Sequence, residues 1–415
     1  MTQSPDPAGE GNEAIRRVAF VCDYSLDYLG GAQTALLEQA KALRAAGVEV
    51  TVLSPGRPAR PGTAAADDVR VPALVTLPVV RLPVLRNTAR LRRRLHALFT
   101  DRAIQVVHLH SELGMAAAAI EVARDLGLPV VHTVHTFFWQ TEARVQTLLG
   151  VAVPPLHRWV TGLPTPGAVL AERRGDSALR NMTLAVARAA DRVISPSAHQ
   201  GRRLQAAGLT TVDVISNTLA DHQDARVLEN VQPPLRLIWV GRCVQEKRIL
   251  PFVRAAAAAI ERSGPGRLSV TVVGEGEQLP AARAGVAGEA GIRFLGRLPH
   301  ASVQQLLAEA HASVLTSFGF DNQPMTVVES LMALRGVIYC DPALTDDLQG
   351  AGVPALGSDE RVLTDVLVAM TRDAGALVAA SQGAVAARAE FDPATFSRRV
   401  LHSYGRARES RRPLV

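Results

Sequence analysis

The chain has 415 residues, 47 % of them hydrophobic and only 4 % aromatic, with a net charge of +6 and a pI near 9.8. That length is too great for one ordinary core and predicts two domains of roughly 200 residues each. The three cysteines, Cys22, Cys243 and Cys340, are widely spaced and fit no ligand pattern, which argues against a disulfide framework. No apolar run approaches the ~20 residues that span a bilayer. The polar, acidic start MTQSPDPAGEGNE reads as a disordered tail over residues 1–15 and not as a secretory signal, so a soluble cytoplasmic protein is expected.

In chain order, short β-branched runs alternate with Ala- and Leu-rich helical stretches. Strands are predicted at Arg17–Cys22, Val48–Leu53, Ile104–Leu109, Pro129–Val134, Arg192–Ser195 and Val212–Ser216, with helices such as Ala32–Ala46 and Leu113–Leu126 between them. Leu85–Arg102 reads as a basic amphipathic helix, with Leu91, Leu95, Leu98 and Phe99 on one side. Its arginine face is either solvated or turned to an anionic membrane. The stretch from Phe137 to Arg180 is long for a connection and rich in aromatics, Pro and Gly. It is either an acceptor-recognition region or extra helices over the sheet.

The pattern pauses at the polar segment Asp221–Pro234 and restarts with strands at Leu235–Val240, Leu268–Val273, Ile292–Leu295, Ala312–Thr316 and Val337–Cys340. This predicts an α/β fold of two Rossmann-like, doubly wound parallel-sheet domains facing across a cleft, residues 16–222 and 223–392. A closing helix over residues 393–415 follows, with Phe396, Val400 and Tyr404 at helical spacing so that one apolar face can dock on a domain.

In open α/β sheets, ligands bind beyond the carboxyl ends of the strands. That rule selects Gly30–Gly31, His135, Asn217, Arg242–Lys247, Gly274–Gly276, Leu298 and Asp321–Glu329. In LIWVGRCVQEKRIL, Arg242 follows a strand directly and Lys247 lies near the next helix start, so both cations can point at one diphosphate. In SFGFDNQPMTVVESLM, Asp321 and Glu329 flank a helix start at Pro324 and Met325, where a loop carboxylate can accept sugar hydroxyls and a helical one a ribose diol. Taken singly, the first pair reads equally as two surface cations and the second as a capped helix with a solvated Glu.

Together with VISNTL, VVGEGEQL, VVHLHSE, VVHTVHTFF and RVAFVCDYSLDYLGGAQTALLEQAKALRAAGVEVTVL, these segments resemble the retaining GT-B glycosyltransferases of family 4 over roughly residues 16 to 340. The resemblance implies that Arg242 and Lys247 neutralise the departing nucleoside diphosphate and that Glu329 holds the ribose. It implies that Asp321 and the following Asn322, Gln323, Pro324, Met325 and Thr326 hold donor hydroxyls, and that His135 sits by the donor sugar. Gly30 and Gly31 would approach the phosphates, Leu298 would meet the base, and Asn217, Gly241, Gly274 and Gly276 would complete the donor side.

It further implies retention of anomeric configuration and metal-independent stabilisation of the leaving group, with no cofactor beyond the nucleotide-sugar co-substrate. In agreement, the sequence contains no Asp-x-Asp pair. Two departures stand out. Asp321 replaces the usual Glu, one methylene longer, and SLMALRGVIYCD replaces the usual small-residue, Gly, Pro, Val run after Glu329.

Other signals carry less. GEG at Gly274–Gly276 lacks the third glycine of a dinucleotide fingerprint, since Leu279 stands there, and reads as a tight strand-to-helix turn. His108, His110, His132 and His135 are not completed by a carboxylate or cysteine into a recognisable metal set. The expected activity is transfer of a hexose-type unit from a UDP-sugar, or secondarily a GDP-sugar, to a hydroxyl of a lipid or small-molecule natural-product acceptor. Phe137, Phe138 and Trp139 are candidates for the acceptor side, because HTFFW is similar to members that glucosylate diacylglycerol. Peripheral contact at the inner membrane face is an accompanying expectation. A sugar-nucleotide epimerase or a phosphorylase of the same architecture is the alternative. A basic nucleic-acid-binding protein is the distant one, because the cations flank strand ends and do not form a stripe.

Overall fold

The computed structural model describes residues 14–27, 30–56, 68–73, 75–77, 82–138, 140–141, 143–220 and 225–411. Trp139, most of the tail 1–15 and the expected boundary near residue 222 lie outside the described residues. The first half runs β1 (Arg17–Val21), α1 (Gly31–Ala45), β2 (Glu49–Pro55), β3 (Asp68–Val71), β4 (Val75–Leu77), β5 (Leu82–Val84), α2 (Ala89–Asp101), β6 (Val106–Leu109), α3 (Gly114–Asp125), β7 (Val130–Thr133), α4 (Gln146–Thr161), α5 (Arg174–Ala189), β8 (Arg192–Ser195), α6 (Ala198–Ala206) and β9 (Val212–Val214). The second runs β10 (Leu235–Val240), α7 (Ile249–Ser263), β11 (Leu268–Val273), α8 (Leu279–Gly285), β12 (Ile292–Gly296), α9 (His300–Glu309), β13 (Ala312–Leu315), α10 (Met325–Met332), β14 (Gly336–Tyr339), β15 (Gly352–Pro354), α11 (Glu360–Arg372), α12 (Gly375–Ala387) and α13 (Pro393–Glu409).

Seven strands form one parallel sheet in the order β3-β2-β1-β6-β7-β8-β9, and six form another in the order β12-β11-β10-β13-β14-β15. The chain is thus an α/β protein of two Rossmann-like parallel-sheet domains, the GT-B architecture. Both sheets are buried on two faces, which is why their strands read as near-continuous Val/Ile/Leu runs. In each sheet the strand order reverses beside the first strand, between β1 and β6 and between β10 and β13. The loops leaving those strands carry Asp23, Tyr24 and His110–Glu112 in one domain and Arg242–Lys247 and Thr316–Asp321 in the other.

α13 returns to the first domain. Asp392 caps it by accepting from the Thr395 amide at 2.9 Å, and Phe396, Val400 and Tyr404 are buried with Val18, Phe20 and Leu36. Asp213 in β9 accepts from Arg192 and Ser403, each at 2.7 Å, and pairs with Arg406, which locks the helix in place. The segment after Phe137 contains the helices α4 and α5. α2 buries Leu91, Leu95 and Phe99 and starts at Ala89 behind a Thr88 cap whose hydroxyl accepts from the Leu91 amide at 3.2 Å. Its expected start at Leu85 lies in the irregular chain between β5 and α2.

The odd run after Glu329 also has a physical account. Just beyond α10 and its Ala333 cap, Leu334 adopts the left-handed conformation at φ 53° that usually favours glycine. The buried Arg335 guanidinium then donates to the carbonyls of Ala308, Ala310, Ala333, Leu334 and Arg226. A cation among the carbonyl ends of α9 and α10 is favourably placed, although burial lowers its pKa.

Candidate active site

The second-domain half is built on paired loops. Lys247 Nζ donates to Asp321 Oδ1 at 2.5 Å, while Asp321 Oδ2 is buried with no partner among the described residues. The Lys247 turn is pinned because the Thr316 hydroxyl donates to the Lys247 carbonyl at 2.9 Å and itself accepts from the Trp239 indole at 3.0 Å. Arg242 is exposed at the end of β10, and no partner for its guanidinium is found among the described residues. Gly241 precedes it, and Gly274 and Gly276 make the fit of this loop possible. A Cβ on Gly274 would stand 1.8 Å from the Gly241 carbonyl oxygen, and one on Gly276 2.4 Å from that of Cys243. Thr326 holds the start of α10 by donating to the Val240 carbonyl at 3.3 Å. Glu329, on the buried side of α10, pairs with His300 Nε2 at 2.8 Å, and that carboxylate raises the His300 pKa. Leu298 is half-buried two residues before His300, in the loop joining β12 to α9.

The first domain grips this segment. Asn322 donates to the Val134 carbonyl at 3.2 Å and accepts from the Ser197 hydroxyl, both buried. His199 Nε2 lies 3.2 Å from the Asp321 carbonyl and its Nδ1 3.2 Å from Asp347. Asn217 accepts from Gln39 at 3.0 Å, and its amide donates to the Gln323 side chain at 2.6 Å. Gln140 donates to the Gly319 carbonyl at 2.5 Å. Met325 and Leu219 share a core cluster with Ala35 of α1. Since Val134 takes the Asn322 bond, the next residue, His135, stands beside the acidic segment. Gly30 precedes α1 there, its amide bonded to Gln33 at 3.2 Å, with Gly31 the first helical residue.

Residues 29–221 match the family described as Glycosyltransferase Family 4. A phosphatidyl-myo-inositol mannosyltransferase of Mycobacterium leprae (strain TN) is 24 % identical over 375 residues, covering 86 % of this chain and 88 % of that one. Its counterpart in Mycolicibacterium smegmatis is 24 % identical over 337 residues, 78 % of this chain and 76 % of that one. The chain is a glycosyltransferase with the GT-B architecture, similar to family 4 over its first domain. Among solved structures, Anabaena HepE in complex with UDP and glucose superposes with a TM-score of 0.65 at 15 % identity, covering 94 % of this chain and 99 % of that one. The sucrose-phosphate synthase of Thermosynechococcus elongatus gives 0.67 at 16 %, covering 94 % and 98 %.

Behind His135, the glycosyltransferase carries a buried polar network at the ends of β1, β6 and β7. His135 Nε2 is 2.9 Å from His110 Nδ1 with the rings stacked, and burial lowers the His135 pKa to about 4, so the imidazole is neutral at pH 7. His108 is structural, bridging the Tyr404 and Thr133 hydroxyls at 2.7 Å each. His132 Nε2 lies 3.8 Å from Glu112 Oε1, the spacing of an ion pair. Burial nevertheless pushes Glu112 up to about 8 and His132 down to about 3, so at pH 7 neither is charged. The Tyr24 hydroxyl donates to Glu112 at 2.9 Å, and His157 Nε2 meets its carbonyl at 3.0 Å. Among the described residues, no group of three or more His, Cys, Asp or Glu could hold a metal ion.

A raised folded-state pKa means that Glu112 supports the fold below about pH 4.5 and that this support is lost as pH climbs through about 8. Glu112→Gln is therefore expected to flatten the pH dependence of unfolding free energy across that window, removing a slope worth on the order of 4 kcal/mol. Denaturant titrations of both proteins at matched pH values measure this. Parallel curves would show a carboxylate already charged at neutral pH.

One reading from the sequence is corrected here. Phe137 and Phe138 are core residues, only 2 % and 9 % exposed, packed on Leu184 and Val193 with Phe138 stacked on His199. They offer no open ring to an acceptor. GEG at Gly274–Gly276 is a packing turn beneath the Arg242 loop. The sequence reading also missed His300 and His199. His300 carried no motif, and only the sheet order sets the start of α9 against α10.

Proposed function

We propose that this glycosyltransferase moves a hexosyl unit from a nucleoside-diphosphate sugar to a lipid hydroxyl, with retention and without a metal. A UDP-sugar is the favoured donor and a GDP-sugar the second choice. The observation that carries the reading is the half-satisfied Asp321 carboxylate, held by Lys247 through one oxygen, in the same loop cluster as Arg242; among the described residues neither its other oxygen nor the Arg242 guanidinium has a partner. That oxygen suits a donor-sugar hydroxyl. The two cations suit the diphosphate, whose developing charge they stabilise without reorganising. Glu329 suits the ribose diol, which would take over the place that His300 fills. A neutral His135 suits a contact to a sugar hydroxyl as donor or acceptor. The lipid acceptor is supported by the phosphatidyl-myo-inositol mannosyltransferases it resembles, and the UDP donor by HepE with UDP and glucose.

Thermal shift across UDP-, GDP- and ADP-sugars tests the donor. Its preferred nucleotide sugar, at about 100 times Kd, is expected to raise Tm by about 5–10 °C by mass action. Transfer to phosphatidylinositol in detergent should then proceed equally with and without EDTA. Loss of turnover in EDTA would overturn the metal-free part, and conversion of the donor with no acceptor present would favour an epimerase.

A further inference from the structure

α4 is apolar on both of its faces, yet only one is covered. Its inner stripe of Val153, His157, Val160 and Thr161 is buried, and the helix packs on α5 and α3. On the outer stripe Leu148, Val151, Leu156 and Trp159 are 67, 72, 56 and 56 % exposed. A surface helix ordinarily turns polar residues outward, and a contiguous exposed apolar stripe marks a docking face.

Charge identifies the occupant. The exposed Arg158 sits within the stripe, and the exposed Arg174 packs its Cβ 3.2 Å from where a Cβ of Gly150 would be. Arg86 holds its guanidinium 4.6 Å over the Trp159 ring. Asn87 ties the end of α4 to the start of α2 by donating to the Val160 and Thr161 carbonyls at 2.8 and 2.9 Å. From there α2 continues the basic surface with exposed Arg90, Arg93 and Arg94. A second copy of this chain meeting the stripe face to face would set these arginines against their equivalents. An anionic bilayer accepts both parts, with the apolar side chains at the acyl boundary, the indole at the interface and the arginines on headgroup phosphates.

We infer that the outer face of α4, flanked by the arginines of α2 and α5, docks this protein on an anionic lipid bilayer. The inner side of the same helix reaches the cleft through His157 and the Glu112 carbonyl, so a docked protein presents its first-domain strand ends towards the headgroups. The inference rests on the lipid-acceptor reading for its purpose, but its test involves no sugar transfer.

The full chain is mixed with sedimentable vesicles of equimolar phosphatidylglycerol and phosphatidylcholine, or of phosphatidylcholine alone. The wild type should pellet with the anionic vesicles and stay in solution with the neutral ones. A Leu148→Ser/Val151→Ser variant should bind at least about tenfold more weakly, since two aliphatic side chains are lost from the acyl boundary. Val385→Ser, at a residue 55 % exposed on α12, should bind as the wild type does. Unchanged circular dichroism and Tm establish that the variants fold. Wild type left in solution with anionic vesicles, or an α4 variant that binds undiminished, would overturn the inference. So would a dimer in sedimentation velocity that the α4 double variant abolishes, because a second copy would then cover the face. Vesicle binding without transfer to dispersed phosphatidylinositol sinks the lipid-acceptor reading and leaves the docking face standing.

Discussion

Lys247→Ala is expected to lower kcat by about 10²–10³-fold, the usual consequence of removing one group that stabilises developing charge on a leaving group. Stability alone would confuse the result. Asp321 is 7 % exposed, and the substitution strips its carboxylate of the counter-charge 2.5 Å away. Removing one partner of a buried pair costs up to about 3–5 kcal/mol, and less here because the lysine side chain keeps 18 % exposure. The double variant Lys247→Ala/Asp321→Asn separates the two roles. It removes the lone buried charge, so Tm should recover most of the loss while kcat stays down. If the double variant regained turnover along with Tm, the pair would be structural and the diphosphate-binding assignment would fall. Arg242→Ala supplies the complementary case, because an exposed guanidinium without a partner among the described residues contributes little to folding. Its Tm should stay within about 1 °C while turnover falls in parallel with Lys247→Ala.

How much of this arrangement was legible beforehand depends on what kind of force sets each part. The two sheets were legible because doubly covered strands must be apolar throughout and must alternate with helices, a pattern local to the chain. The placement of Arg242, Lys247, Asp321 and Glu329 in loops and helix starts after strands was legible because ligands in open α/β sheets bind beyond the carboxyl ends of the strands. The edge strands β3 and β15 were not, since Asp68–Val71 and Gly352–Pro354 are short and carry polar or turn-forming residues. Nor was the return of α13 to the first domain. Periodicity at Phe396, Val400 and Tyr404 identifies an apolar face but not the surface that covers it. The same ambiguity misled at Phe137 and Phe138, because an aromatic beside a strand end looks alike whether it faces a cleft or a core. Asp23 shows the limit most clearly. Its importance comes from a helix almost a hundred positions away, and no spacing rule reaches that far.

Asp23→Ala should therefore be among the most destabilising single changes in the first domain, by about 3–5 kcal/mol. The helix α3 begins after Leu113, a residue with no side-chain acceptor for the free amides of the first turn. Asp23, fully buried in the loop after β1, supplies the missing cap from across the sheet. Its carboxylate accepts from the Met115, Leu113 and Ala116 amides at 2.7, 3.1 and 3.2 Å and from the Ser111 hydroxyl at 2.8 Å. Alanine would leave two buried amides, the half-buried Leu113 amide and a buried hydroxyl without this acceptor, each a loss of about 1–3 kcal/mol when taken singly. Their shared acceptor makes the sum less than additive. Asp23→Asn retains one carbonyl acceptor but turns an NH₂ towards N–H donors, so its loss should fall between wild type and alanine. Guanidinium titration followed by circular dichroism reads the ranking. An alanine variant within about 1 kcal/mol of wild type would mean that water replaces the carboxylate at the α3 terminus. The site would feel the change as well. The next residue, Tyr24, donates to Glu112, and the carbonyl of Glu112 anchors His157 of α4. Loosening the Asp23 cap would thus slacken the first-domain wall of the cleft, and acceptor KM should rise before kcat falls.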